Sequence, residues 1–298
     1  MKNINKILTI LITHHEEPLD VVEPLFQTLN IQIGNVFKNI HIIISDNSVK
    51  NHLKISDIRP YSNIYENCDL VQNLNCVTIS SHLNQLISQV STPYFMMYDC
   101  DDRVCDISSF QEVLRSIKQY PDTDVFQFGY YQIFLNNPKN ITKGLAVSGG
   151  WGCVYKKSTW LRECLQYADV SSEHDIGMHY CICQNTTIKR LSFPEISVVC
   201  WCRRDDSVSA GFYKSETQFL DNFKNVLLML LYVKKYYISR KIPIQNFVKI
   251  FNGEIKQLEN RVQQYEKINN GISENLLFNL QSVANQFIKT IQSQKDLN

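Results

Sequence analysis

The chain has 298 residues, 44% hydrophobic and 20% charged; these are ordinary globular values, on a length that suits one large domain or two smaller ones of roughly 150 residues. Its formal charge of +1 gives no general attraction to nucleic acid or membrane, which weighs against roles that need a uniformly basic surface. Ten cysteines admit a disulfide framework, a zinc site or reduced thiols; the apolar run 7–12 is too short to span a membrane and leads into charge without a small-residue cleavage site, so a reduced, cytoplasmic protein is expected.

In chain order, KILTILIT (6–13) is a continuous apolar run, as a parallel strand buried on both faces would be. LDVVEPLFQTLNIQ (19–32) sets Val22, Leu25, Phe26 and Leu29 at helical spacing, and NIHIIISDNS (39–48) reads as a second buried strand ending in a polar turn. SSHLNQLISQVS (80–91) places Leu83, Leu86, Ile87 and Val90 on one helical face before the strand YFMMY (94–98). This alternation is βαβ logic and predicts a mainly parallel sheet. Ligands of such sheets gather outside the carboxyl ends of the strands. Three polar clusters fall there: THHEE (13–17), SDNS (45–48) and DCDD (99–102). Taken alone, SDNS reads more simply as an ordinary solvated turn.

The paired cysteines Cys181/Cys183 and Cys200/Cys202 are C-x-C, not the C-x2-C knuckle of zinc sites, and buried thiols are the simpler reading. From residue 212 onward the pattern turns helical. Phe219, Phe223, Val226, Leu227, Leu230 and Val233 form one stripe; Phe247, Phe251, Ile255, Leu258 and Val262 a second; Leu276, Leu280, Val283, Phe287 and Ile291 a third. Three packing helices are predicted, and they are also where a homo-oligomer contact would form. KKYYISRK (234–241) reads as a helix end with favourable cations, or as a basic patch toward an anionic partner.

Clustered carboxylates raise one another's pKa and call for a compensating partner. Asp99, Asp101 and Asp102, at the end of an apolar strand, suit Mn²⁺ or Mg²⁺, which take oxygen ligands and are commonly held by one or two carboxylates together with substrate phosphates.

The order ILTILITHHEEP, IIISDNS, STPYFMMYDCDD, GGWGCVYKKSTW, EHD and WCRRDDSVSA resembles the family 2 nucleotide-sugar glycosyltransferases, and within them short enzymes found in phages and prophages of Gram-positive bacteria. The resemblance covers residues 6–213. It implies a Rossmann-like GT-A α/β domain (1–211) with a mixed, mainly parallel sheet flanked by helices, followed by a C-terminal helical subdomain (212–298). It also implies metal-dependent, inverting transfer of a sugar from a nucleotide-sugar, most often a UDP-sugar, to an acceptor hydroxyl. Thr13 would floor the nucleotide site, Glu16 or Glu17 would lie near ribose or base, and Asp46 would bond the base. Asp99 would sit near ribose and sugar, and Asp101, helped by Asp102, would ligate the metal. In Gly149–Gly152, Trp151 would offer a flat face to a sugar. Asp175 would be the base, with Glu173 as the alternative and His174 as an orienting neighbour. Arg204, Ser207 and Arg203 would close over the diphosphate. Two departures stand out. His174-Asp175 replaces the family's Glu-Asp, and Leu83 and Gln85 replace the arginines that flank Asn84's counterpart.

The acceptor implied is a glycan or teichoic-acid precursor, a hydroxymethylated DNA base, or a virion protein. The rivals are a non-catalytic nucleotide- or glycan-binding module of the same fold, and a nucleotidyltransferase that uses metal-bound carboxylates at a sheet edge.

Overall fold

The computed structural model describes residues 6–73, 78–146, 150–172, 174–204 and 213–293. The apolar run at the start becomes β1 (Leu8–His14), buried at every position. It is followed by α1 (Leu19–Asn30), β2 (Ile40–Asp46), the short helices α2 (Ile55–Ile58) and α3 (Ser62–Tyr65), and β3 (Cys68–Gln72). Then come α4 (Ile79–Gln89), β4 (Tyr94–Asp99), β5 (Arg103–Val104), α5 (Ser109–Gln119), β6 (Val125–Phe134), β7 (Asn137–Leu145), β8 (Cys153–Lys156), α6 (Lys157–Arg162), α7 (His174–Gln184) and β9 (Arg190–Arg203). Three long helices close the chain: α8 (Glu216–Ser239), α9 (Ile244–Ile268) and α10 (Glu274–Ser293).

The described strands join in one nine-stranded sheet of order β3-β2-β1-β4-β8-β6-β9-β5, with β7 on β6. As expected it is mixed and flanked by helices. The pairs within β3-β2-β1-β4 and the long β6–β9 pair are parallel, and β8, β7 and β5 join antiparallel. After β1 the chain winds outward through β2 and β3, then returns to place β4 on β1's other side. That reversal is a topological switch point, where a crevice opens beyond the strand ends.

Alternation along β1 divides the core. Leu8, Ile10 and Ile12 pack with Val22, Phe26, Phe110 and Val113 of α1 and α5, while Leu11 packs with Leu86, Ile87 and Phe95 toward α4. This second core continues through Met178 and Ile182 of α7 into Val226, Leu230 and Val233 of α8, and on to Phe247 and Phe287. The three predicted stripes are therefore buried seams, and the C-terminal helices share a core with one face of the sheet. A β-bulge shifts β9 against β6 between Phe128 and Tyr130. Beyond it, Trp201 lies opposite Gln132 and Arg203 opposite Phe134.

Candidate active site

The three polar clusters share one rim. In register, His14 lies opposite Asp46, and Thr13 is flanked by Ser45 on one side and Asp99 on the other. Parallel pairing of strands of nearly equal length forces this: once the apolar runs align, their polar ends must align too.

Within the rim the two acidic residues after β1 part company. Glu16 has φ 65°, a left-handed conformation uncommon outside glycine. Its carboxylate accepts from the backbone N–H groups of Val49, Lys50 and Asn51, and these bonds lower its pKa. Glu17 turns the other way, into the electrostatic neighbourhood of Asp99, Asp101 and Cys100.

Asp46, expected to meet the base, is completely buried. Oδ1 accepts from the Ser48 N–H at 2.9 Å and lies 2.8 Å from His14 Nδ1. Oδ2 accepts from the Leu53 N–H at 3.0 Å and from Gln72 Nε2 at 2.9 Å, with His52 Nδ1 at 3.3 Å. Burial pushes this carboxyl up, but donors from Ser48, His14 and Gln72 outweigh it and hold the group well below the usual range. The residue ties loop 47–53 to the strand ends. His14 completes the tie, its Nε2–H donating to the Glu17 carbonyl at 2.8 Å.

On the β4 side the carboxylates crowd. Asp99 is pushed up to about 7, first by burial and then by the charges of Asp101, Asp175 and Glu17, with a hydrogen bond to Thr13 opposing. Burial and Glu17 raise Asp101, although its partner Arg204 pulls the other way; Arg204 Nη2 stands 3.1 Å from Asp101 Oδ2. Asp102 is 1% exposed. Its Oδ1 accepts from the Cys202 N–H at 3.0 Å, while Oδ2 has no hydrogen-bond partner, and burial raises the group strongly. Mutually raised carboxyls and an orphaned carboxylate oxygen are what a hard divalent cation would relieve. Among the described residues no three His, Cys, Asp or Glu side chains form a metal cage of their own, so a cation here would rely on substrate oxygens to complete its shell.

Across the rim, Asp175 sits in the first turn of α7 and contributes to the charge felt by Asp99. Gly150 passes so close that a Cβ there would stand 3.4 Å from Asp175 Cβ. Trp151, next in the chain, meets Tyr130 edge-on at 4.8 Å and Trp201 at 5.1 Å. His174 packs edge-on against Tyr167 at 5.3 Å. Asn84 clamps the Tyr167 backbone, accepting from its N–H at 2.8 Å and donating to its carbonyl at 2.9 Å; Leu83 is core and Gln85 accepts from Asn73. That helix start thus braces the segment leading to Asp175. Gly149, Glu173 and Ser207 lie outside the described residues.

No protein-family model and no curated protein matches this sequence. Solved structures do match in fold. S. aureus TarS 1–349 in complex with UDP-GlcNAc aligns with TM-score 0.57 and 11% identity over 98% of this chain and 92% of that one; the same protein with UDP gives 0.54 and 12% over 95% and 88%. The mannosyltransferase PcManGT from Pyrobaculum calidifontis, in complex with GDP-Man and Mn²⁺, aligns with TM-score 0.57 and 8% identity over 96% and 82%. The chain has a GT-A-type glycosyltransferase fold.

In this GT-A frame Arg204 pairs with Asp101, and Glu17 and Asp175 add their charge at Asp99; backbone donors hold Glu16, Asp46 and Asp102 and also reach Glu17 through the His15 N–H at 2.7 Å. Sequence reading named His14 and Ser48 only as members of the strand-end clusters and passed over Gln72; all three fix Asp46, and the SDNS turn is buried and built. The one available signal was the polar residue at each strand end. The cysteine pairs are dispersed: Cys200 lies 3.2 Å from Cys105, and Cys183 lies near His179 and Arg190. KKYYISRK is a helix end: Lys234 is buried and donates to the Ile291 carbonyl at 3.0 Å, and Arg240 donates to the Arg162 carbonyl at 3.0 Å. No helix of the described residues is long and apolar enough to cross a membrane.

Proposed function

We propose that this protein is a metal-dependent, inverting glycosyltransferase of the cytoplasm that moves a sugar from a UDP-sugar to an acceptor hydroxyl. Residues 1–211 would be the catalytic domain and 212–298 a helical subdomain built onto it. What supports the reading is that Asp175, in the first turn of α7, lies near enough to the carboxylates at the end of β4 for its charge to raise Asp99. That is the pairing a displacement needs: a base on one side and a site for anionic phosphates and their cation on the other.

Asp101 and Asp99, helped by Asp102, would hold Mn²⁺ or Mg²⁺, on the side where Glu17 also lies. When bound, the ion neutralises the diphosphate and the charge that develops on it. Arg204 leaves Asp101 to pair with phosphate oxygens, for which its planar fork is suited, joined by Ser207. Thr13 floors the nucleotide site, and Asp46 acts on it through loop 47–53. Trp151 bounds the sugar on the acceptor side. Asp175 takes the acceptor proton as the hydroxyl oxygen bonds to the anomeric carbon; the bond from that carbon to the diphosphate breaks on the opposite face, and its electron pair leaves with the phosphate. Glu173 is the alternative base.

One observation favours a non-catalytic module: Arg204 already neutralises Asp101. A screen of UDP-, GDP-, CMP- and dTDP-sugars with and without Mn²⁺, following donor hydrolysis and thermal shift, separates the two readings. The expected result is hydrolysis and stabilisation by one donor only with metal, and an Asp175→Asn protein that binds this donor but transfers at a rate about 10²–10⁴-fold lower. Full activity in folded Asp101→Ala and Asp175→Ala proteins would sink the transferase reading.

A further inference from the structure

The bulge in β9 sets an aromatic row beside the rim. Past the bulge, Tyr130, Gln132 and Phe134 of β6 share a sheet face with their partners Val199, Trp201 and Arg203 of β9, since alternate strand residues point the same way. Tyr130 crosses Gly144, where a Cβ would stand 2.5 Å from its ring, and it braces Trp151 edge-on. From Trp151 the row steps 5.1 Å to Trp201. The Arg203 guanidinium lies over Trp201 at 5.1 Å and over Phe134 at 5.5 Å. All of these rings are half-exposed. The row starts beside Asp175, because Gly150, in contact with Asp175, is the residue before Trp151.

We propose that the row Trp151, Trp201, Phe134 and Arg203 is a docking track for an anionic glycan, which it feeds to Asp175 as acceptor. The proposal rests on the reading of Asp175 as the base. Flat, half-exposed aromatic faces suit the apolar face of a sugar ring, and a guanidinium stacked over two of them leaves its edge free in direction to meet an anion. Charge fits as well. Arg203 closes β9 on this face, Lys139 of β7 is exposed, and residues 125–145 contain no Asp or Glu. Nucleic acid fits less well. Duplex recognition typically engages about 6–10 phosphates, more than these cations serve, and a base would have to be flipped out of its stack to reach Asp175.

The test titrates the full chain with a heparin-derived hexasaccharide, with maltohexaose and with an oligo-dT, following tryptophan fluorescence and calorimetry at two salt concentrations. The sulfated glycan is expected to bind most tightly and more weakly at high salt. Its affinity should fall about tenfold or more in Trp201→Ala and less in Trp201→Phe, which keeps a ring and guards against a folding defect. Equal binding by wild type and Trp201→Ala, or no binding of the sulfated glycan, overturns the proposal, and tighter binding of oligo-dT replaces it with a base-stacking track. Donor hydrolysis by the wild type is read in parallel. Glycan binding without any hydrolysis would leave the track standing and remove the transferase reading instead.

Discussion

Asp46 and Asp99 show how alike two strand-end aspartates look in a sequence and how differently they sit. Asp46 is packed inside donors, so Asp46→Asn sets an amide N–H₂ against N–H groups that lose their acceptor. The cost is expected to be at least about 2 kcal/mol, seen as a fall of several degrees in the melting temperature, with a weaker donor thermal shift as loop 47–53 loosens. An unchanged melting temperature would contradict the scaffold role. Asp99, in contrast, is pushed up to about 7, against about 3.9 for an unfolded aspartate. Between those values the folded chain holds more protons than the unfolded one, so stability falls as pH rises through that window. The metal-free protein should lose part of its stability between about pH 4 and 7, and Asp99→Asn should flatten that slope. Mn²⁺ should raise the melting temperature more at pH 8 than at pH 5.5, because protons compete with it at the lower pH; a pH-independent shift would remove Asp99 from the cation's neighbourhood. The sequence shows which residue types stand at the strand ends. It does not show which carboxylate turns inward, because that depends on backbone donors such as 49–51 and on buried His14, which come from another strand or loop.

At the scale of elements, the segments legible in the sequence are those whose burial leaves an unbroken pattern. β1 and β2 are buried from end to end, with apolar runs that stop only at their polar carboxyl ends, and α1, α4 and the C-terminal helices carry clean stripes. β3, CDLVQ, is only partly buried and has no such signature, so it passes for irregular chain. β9 is interrupted by Pro194 and alternates irregularly because it slips a register against β6. The slip is built around Gly129, where a Cβ would stand 2.7 Å from the Pro194 carbonyl oxygen and 3.0 Å from Ser197 Oγ. The nearer neighbour is backbone, so it cannot step aside as a side-chain end would. Gly129→Ala is expected to destabilise the chain by about 1–3 kcal/mol in urea unfolding. It should also alter the near-UV signal of Trp151 and Trp201, whose mutual placement depends on this register. If stability and near-UV signal both stay at the wild-type level, the bulge is not what positions the row.

Across the whole molecule, composition marks a boundary near residue 212 that packing does not respect. Met229 fits against Gly177 of α7, where a Cβ would approach its Cγ to 2.7 Å. Tyr237 donates to the Tyr180 carbonyl at 3.0 Å, and Tyr236 accepts from Asn185 at 2.8 Å. Ser172 donates to Asn222 at 3.0 Å and accepts from Asn225 at 3.1 Å, just ahead of the candidate base. Val226, Leu227, Met229, Leu230, Val233 and Tyr237 are each at most 3% exposed. Burying side chains of this size stabilises by about 1.5–3 kcal/mol apiece, and part of that is gained against α7. A domain's net stability is only about 5–15 kcal/mol, so losing even half of the seam would consume most of it. A chain ending at residue 213 is therefore expected to be insoluble, or to unfold without a cooperative transition and bind no donor. Calorimetry and donor thermal shift on that truncation decide the matter. A soluble, cooperatively melting 1–213 fragment that still binds donor would make the helices an independent appendage. The expected failure would mean that α8 holds α7, and with it Asp175, against the carboxylates at the end of β4.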